Sequence, residues 1–261
     1  MHYPKVKNFL SAFIAQEKLY KLNDVDNWAD WSVQHILINK EKIVADGFIS
    51  NRDTNLISSS FNNCEPAQTS ITDVLPASTN TFQTFAFNDC KQWIANYRTK
   101  TADNEIVKSA IENLQQFEKK THVPVGEKFI DMLSSEITVA ISGIGSGSYE
   151  NNVLAFIKLK EPQKAEAALK TFSILSSEKK NKKIQFEEFQ KHKIGLLPVD
   201  GLLPALFGNS FSLFQKGFYT IHNNYLIVAS KVSTLRTCID ELADDKLLKQ
   251  NKNFQAWFRL R

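Results

Sequence analysis

The chain has 261 residues, 43% of them hydrophobic with 19 Phe, and a net charge of +4 from 32 basic against 28 acidic side chains. That length and composition fill one large core or two small ones, and the modest charge disfavours a nucleic-acid binder. No stretch approaches the roughly 20 apolar residues of a membrane helix, and three unclustered cysteines argue against a disulfide scaffold.

Val6, Phe9, Leu10, Phe13 and Ile14 predict an amphipathic helix near the start. A first hairpin is expected from Trp31–Ile38 and Ile43–Ile49 around the polar turn Asn39–Lys42, followed by a short helix capped by Asp53 and running to Phe61. Next come a strand over Phe82–Phe87, a helix with Cys90, Trp93, Ile94 and Tyr97 on one face, and a longer helix carrying Ile106, Ala110, Ile111, Leu114 and Phe117. A second hairpin pairs the alternating run Ile137, Val139, Ile141 with Val153–Leu159, and Pro162 opens a helix striped by Ala165, Ala168, Leu169, Phe172 and Leu175. Strands over Ile184–Phe189 and Lys193–Leu197 precede a third hairpin, Phe218–Ile221 and Tyr225–Ser230 about Asn223-Asn224. Its helix carries Val232, Leu235, Cys238, Ile239 and Leu242.

Hairpins running into helices predict an α+β fold of antiparallel sheets with ferredoxin-like, split β-α-β character and helices over one face. Two units are expected, residues 1–125 and 126–261, the second with two hairpin-helix copies. The amphipathic start and the apolar run Phe254–Leu260 suggest a piece of a longer protein.

No cluster reaches the specificity of a catalytic, cofactor or metal signature. Gly143, Gly145 and Gly147 lead into another strand rather than a helix, so they read as a hairpin connection and not a phosphate cradle. His35, His122, His192 and His222 are scattered, without metal-ligand spacing. Glu127, Glu136, Asp200 and Glu187-Glu188 read as surface carboxylates, and no Gly-x-Ser-x-Gly elbow is present. The Lys179, Lys180, Lys182, Lys183 cluster has no interleaved aromatic for stacking on nucleic acid and reads as a solvated turn, with anionic lipid head groups the better alternative use. Cys90 and Cys238 read as small buried hydrophobes, and Cys64 as a loop thiol.

The residues left as a possible interaction surface are Trp28, Leu202, Leu203, Leu206, Phe207 and Trp257. Leu196–Gly208 is apolar but broken by Pro198 and Pro204, which allows either packing under the sheet or an exposed docking face. Trp28 and Trp31 could stack on a sugar or peptide, although Trp31 reads better as core.

The string Gly217–Ser230 with its following helix, the strand Glu136–Ile141 and the early Trp31 hairpin resemble an uncharacterised bacterial envelope family, domain of unknown function 3352. The resemblance implies part of a longer exported, periplasmic or envelope protein, and it carries over no catalytic residue and no cofactor. The partner it implies is the remainder of the same protein or another envelope protein. The expected role is a non-catalytic binding or scaffolding module, with a lipid or small-ligand domain and a hydrolase with a spatially assembled site as alternatives.

Overall fold

A computed structural model describes residues 29–38, 43–50, 57–101, 104–143, 152–180, 186–252 and 254–255. The expected N-terminal helix, the Asp53 cap, the glycine loop beyond Gly143, Trp28 and Trp257 lie outside the described residues.

Local turn chemistry explains how the hairpins close. Asn223 adopts φ 53°, a left-handed conformation that Asn tolerates. It joins β8 (Phe218–His222) to β9 (Tyr225–Ala229) in an antiparallel register with Thr220 opposite Ile227. The same antiparallel logic pairs β3 (Thr79–Ala86) with β4 (Leu133–Ser142), β4 with β5 (Val153–Leu159), and β5 with β9. With β6 (Glu187–Phe189) and β7 (His192–Leu196) the order is β3-β4-β5-β9-β8-β7-β6, a seven-stranded sheet. A separate two-stranded sheet pairs β1 (Trp31–Ile38) with β2 (Ile43–Ser50). The protein is α+β with antiparallel sheets.

Helices α1 (Cys90–Thr101), α2 (Glu105–Thr121), α3 (Val125–Met132), α4 (Pro162–Lys180), α5 (Leu202–Phe207) and α6 (Val232–Ala243) complete the fold. Asn104 starts α2 by accepting from the Ile106 and Val107 amides at 3.0 and 3.3 Å, and His122 ends it at φ 54°. Of the short helix expected between Asp53 and Phe61, the described part, Ile57–Phe61, forms a 3-10 turn. Helix α3 is not among the elements expected from the sequence, and it buries Val125 and Phe129.

Helix α6 turns Leu235, Cys238, Ile239 and Leu242 onto Leu154, Phe156, Ile227 and Ala229 of the sheet, forming one cluster with Ile71, Val74 and Leu75. Each fully buried Leu or Ile there contributes about 1.5–3 kcal/mol relative to exposure. Strands β5 and β9 are buried at consecutive residues, so both faces of the sheet centre are covered, not one as expected. Among the described residues no helix is long and apolar enough to cross a membrane.

The chain divides into a smaller unit, residues 1–63 with 95–101, and a larger one, residues 64–94 with 102–261. The boundary expected at 125/126 falls inside the larger unit, because β3 belongs to the same sheet as the strands from Leu133 onward.

Candidate functional site

Strand alternation sends Glu136, Thr138 and Ala140 to one face of β4, and all of them are buried. Glu136 is 0% exposed, a placement a carboxylate tolerates only when its oxygens are fully engaged. Oε1 accepts from the Ile71 amide at 3.1 Å and from Thr69 Oγ1. Oε2 accepts from the Ser70 amide at 3.1 Å, Ser70 Oγ at 3.2 Å and the Tyr225 hydroxyl at 2.7 Å. Lys158 and Tyr225 are register partners on β5 and β9, which brings Lys158 Nζ to 3.9 Å from Glu136 Oε2. The carboxylate read as a surface group is therefore the most deeply held charge described in the sheet.

Ser70 Oγ stands 2.7 Å from Lys158 Nζ and 2.8 Å from the Tyr225 hydroxyl. A serine touching a lysine and a tyrosine resembles an activated nucleophile, and its chemistry decides the matter. The Lys158 ammonium, paired with Glu136, offers only donors, so it hydrogen-bonds to the serine oxygen rather than taking its proton. Burial foremost, reinforced by the Glu136 carboxylate and offset in part by Ser70, pushes the Tyr225 phenol well above its ordinary range. The phenol thus keeps its proton and donates a hydrogen bond through it to Glu136. Glu136 is the remaining acceptor, and backbone amides and hydroxyls already occupy both of its oxygens. The cluster is a closed set of donors and acceptors that pins the Thr69–Ile71 segment to β4, β5 and β9.

The expected interaction surface is corrected by the packing. Leu202, Leu203, Leu206 and Phe207 are all 0% exposed. Gly201, at φ 81°, brings α5 so close to α2 that an added Cβ would stand 2.9 Å from Ala110 Cβ. Phe207 lies with its ring centroid 6.5 Å from Phe129 and 5.0 Å from Phe211. The two prolines punctuate a core segment, so this stretch supports neither a docking face nor an open ligand pocket. Cys90 and Cys238 are buried as expected, and burial raises the Cys90 pKa to about 11.

Exposed apolar surface lies instead on the hairpin of the smaller unit. Val33 opposes Phe48 in the β1–β2 register, and they are 70% and 83% exposed. Trp31 and Leu37 share that face by alternation and are 51% and 54% exposed, so Trp31 is not core. His35 and Asp46 sit opposite each other between them, with His35 Nδ1 3.8 Å from Asp46 Oδ1. Period-2 alternation was visible in the sequence; that large apolar side chains would be exposed on both faces, with Ile36 and Ile49 54% and 49% exposed on the opposite one, was not.

Comparison of the chain with protein-family models, with curated proteins and with solved structures finds no match in any of the three.

Proposed function

We propose that the chain is a non-catalytic protein-binding or scaffolding module of a larger, exported bacterial envelope protein, and that it docks through the β1–β2 face of Trp31, Val33, Leu37 and Phe48. The observation that carries this reading is the pairing of Val33 and Phe48, each more than two-thirds exposed, on one face. Contiguous apolar surface in water is unfavourable by about 25 cal/mol per Å² and is characteristic of protein contacts. The strands add a second recognition element, because among the described residues neither β1 nor β2 has another strand beside it. Placement in the envelope rests on the family resemblance.

The test is a photo-crosslinking residue at position 48, in cells, with Val33→Asp as the companion variant. The reading expects one defined protein, or another part of the same protein, to be captured at position 48 and lost in Val33→Asp. Capture that Val33→Asp leaves unchanged, or none, overturns it.

A hydrolytic reading has one observation in its favour, the contact of Ser70 Oγ with Lys158 Nζ and the Tyr225 hydroxyl at 2.7 and 2.8 Å. The hydrogen bonds that already occupy Glu136, and the proton that the Tyr225 phenol keeps, weigh against it. Intact-mass analysis after incubation with a serine-acylating probe separates the two readings: an adduct absent from Ser70→Ala establishes a nucleophile, and an unchanged mass supports the module.

A further inference from the structure

Thirty residues apart in the chain, His192 and His222 face each other across β7 and β8. The Leu197 amide donates to the Gly217 carbonyl at 2.8 Å, and the ladder continues through Leu196–Phe218 and Gly195–Tyr219. Counted three residues on, His192 falls opposite His222 at a non-hydrogen-bonded position, where the side chains of an antiparallel pair come closest. There His192 Nε2 and His222 Nδ1 stand 2.9 Å apart, and the ring centroids are 5.2 Å apart, which is that gap plus one ring radius on each side. The half-buried imidazoles thus meet end to end in an N–H···N hydrogen bond. It links two neighbouring hairpin turns, Gln190-Lys191 and Asn223-Asn224, and so ties the edge hairpin β6–β7 to β8.

The number of protons on the pair decides whether that bond can exist. His192 Nδ1 lies 2.9 Å from the Gln190 carbonyl oxygen, which only accepts, so Nδ1 keeps a proton. In the neutral pair His222 Nδ1–H donates to the bare His192 Nε2, and His222 Nε2 is the other base. One added proton settles on His222 Nε2 and leaves the bond in place, now between an imidazolium and an imidazole. A second has only His192 Nε2 to occupy, which is the acceptor itself. The bond then breaks, and two like charges face each other.

The charged groups on the surrounding elements are already committed. Tyr225, opposite His222 on β9, holds its proton, and Lys158, beyond it on β5, is paired with Glu136 of β4. On β6, Phe189 lies opposite His192, and Glu187 is bound by Arg236 of α6. Asp240 of α6 accepts from the Gln190 side-chain amide at 3.4 Å, and Lys193 of β7 pairs with Glu166 of α4 at 3.0 Å. Burial, and then His192, hold His222 below its ordinary pKa of 6.5. A histidine depressed in the folded state stabilises above its unfolded pKa and loses that contribution as pH falls, so acid opens the pair.

We propose that His192 and His222 form a proton-operated clip, which holds the β6–β7 hairpin against β8 with up to one added proton and releases its turn end when a second binds. Release frays the β7–β8 ladder from Gly195–Tyr219 and loosens Phe189, which packs against the α6 cluster. The clip is independent of the β1–β2 docking reading and stands or falls without it.

The test is residue-resolved NMR titration and hydrogen exchange of the full chain between pH 8 and 4.5. In the wild type the two rings are expected to titrate together in two steps at least about one pH unit apart, the lower one below 6.5. Across that lower step, corrected for the intrinsic pH dependence of exchange, protection of the Gly195 and Tyr219 amides should fall at least tenfold while Leu197 stays protected. His222→Ala removes the donor and should show the frayed state already at pH 7. His222→Asn places an amide N–H where Nδ1–H stood, so it should restore protection at pH 7 and lose it in a single step as His192 Nε2 takes a proton. Three results overturn the clip: independent titration of both rings near 6.5, equal protection of wild type and His222→Ala at pH 7, or the same acid-driven loss in His222→Ala, whose Glu166, Glu187 and Asp240 are intact.

Discussion

Glu136 and Phe48 sit where their chemistry alone would not send them: the carboxylate is 0% exposed on β4, next to the edge strand of a seven-stranded sheet, and the phenyl ring is 83% exposed on a hairpin. Glu136 can be buried because two amides, three hydroxyls and a lysine reach it. Its desolvation cost is offset by fixed partners, so it holds the segment around Ser70 in place. Phe48 lies with Val33, Trp31 and Leu37 on an exposed apolar face, the one we propose for docking. Polarity here reports what each region does only when read together with its partners. The satisfied charge holds a segment to the sheet, and the exposed apolar face is what the docking proposal rests on.

Four variants separate the two regions in urea unfolding, from the largest effect to the smallest. Glu136→Ala strands the Ser70 and Ile71 amides, the Tyr225 hydroxyl and Lys158, and is expected to cost about 4 kcal/mol. A cost under about 1 kcal/mol would mean that the carboxylate behaves as a surface charge. Phe207→Ala opens a cavity beside Phe129 and Phe211 and is expected to cost about 3 kcal/mol, where an exposed docking residue would cost almost nothing. Tyr225→Phe keeps the ring and removes the hydroxyl, for an expected loss of about 1–2 kcal/mol. Val33→Asp with Phe48→Asp should leave stability within about 0.5 kcal/mol of wild type while abolishing partner capture. A large loss of stability in that pair would make the hairpin face part of a core.

Much of the secondary structure was legible because it rests on local rules. The Asn223-Asn224 turn, the Pro162 helix start and the Leu235–Leu242 stripe each follow from nearest neighbours, and each is found. The order of the strands was not legible, since β9 lies between β5 and β8 through pairings far apart in sequence. The same limit hid the site. Glu136 and Tyr225 are 89 residues apart, and nothing near Glu136 in the chain marks it as buried. The one available signal was Glu136, Thr138 and Ala140 alternating on a strand whose other face was already apolar, in a chain with helices enough for both faces. His192 and His222 meet only through the β7–β8 register, which no spacing rule along the chain samples.

The account turns on Glu136 holding Thr69–Ile71 against the sheet, and hydrogen–deuterium exchange of the Ser70 and Ile71 amides reads that directly in wild type and Glu136→Gln. Both amides donate to the buried carboxylate at 3.1 Å, so slow exchange is expected in wild type, with protection falling at least tenfold in Glu136→Gln while the amides of β5 and β9 stay protected. Fast exchange of Ser70 and Ile71 in the wild-type protein, or protection indifferent to the substitution, would contradict the structural role and return Ser70 to consideration as a mobile, reactive residue.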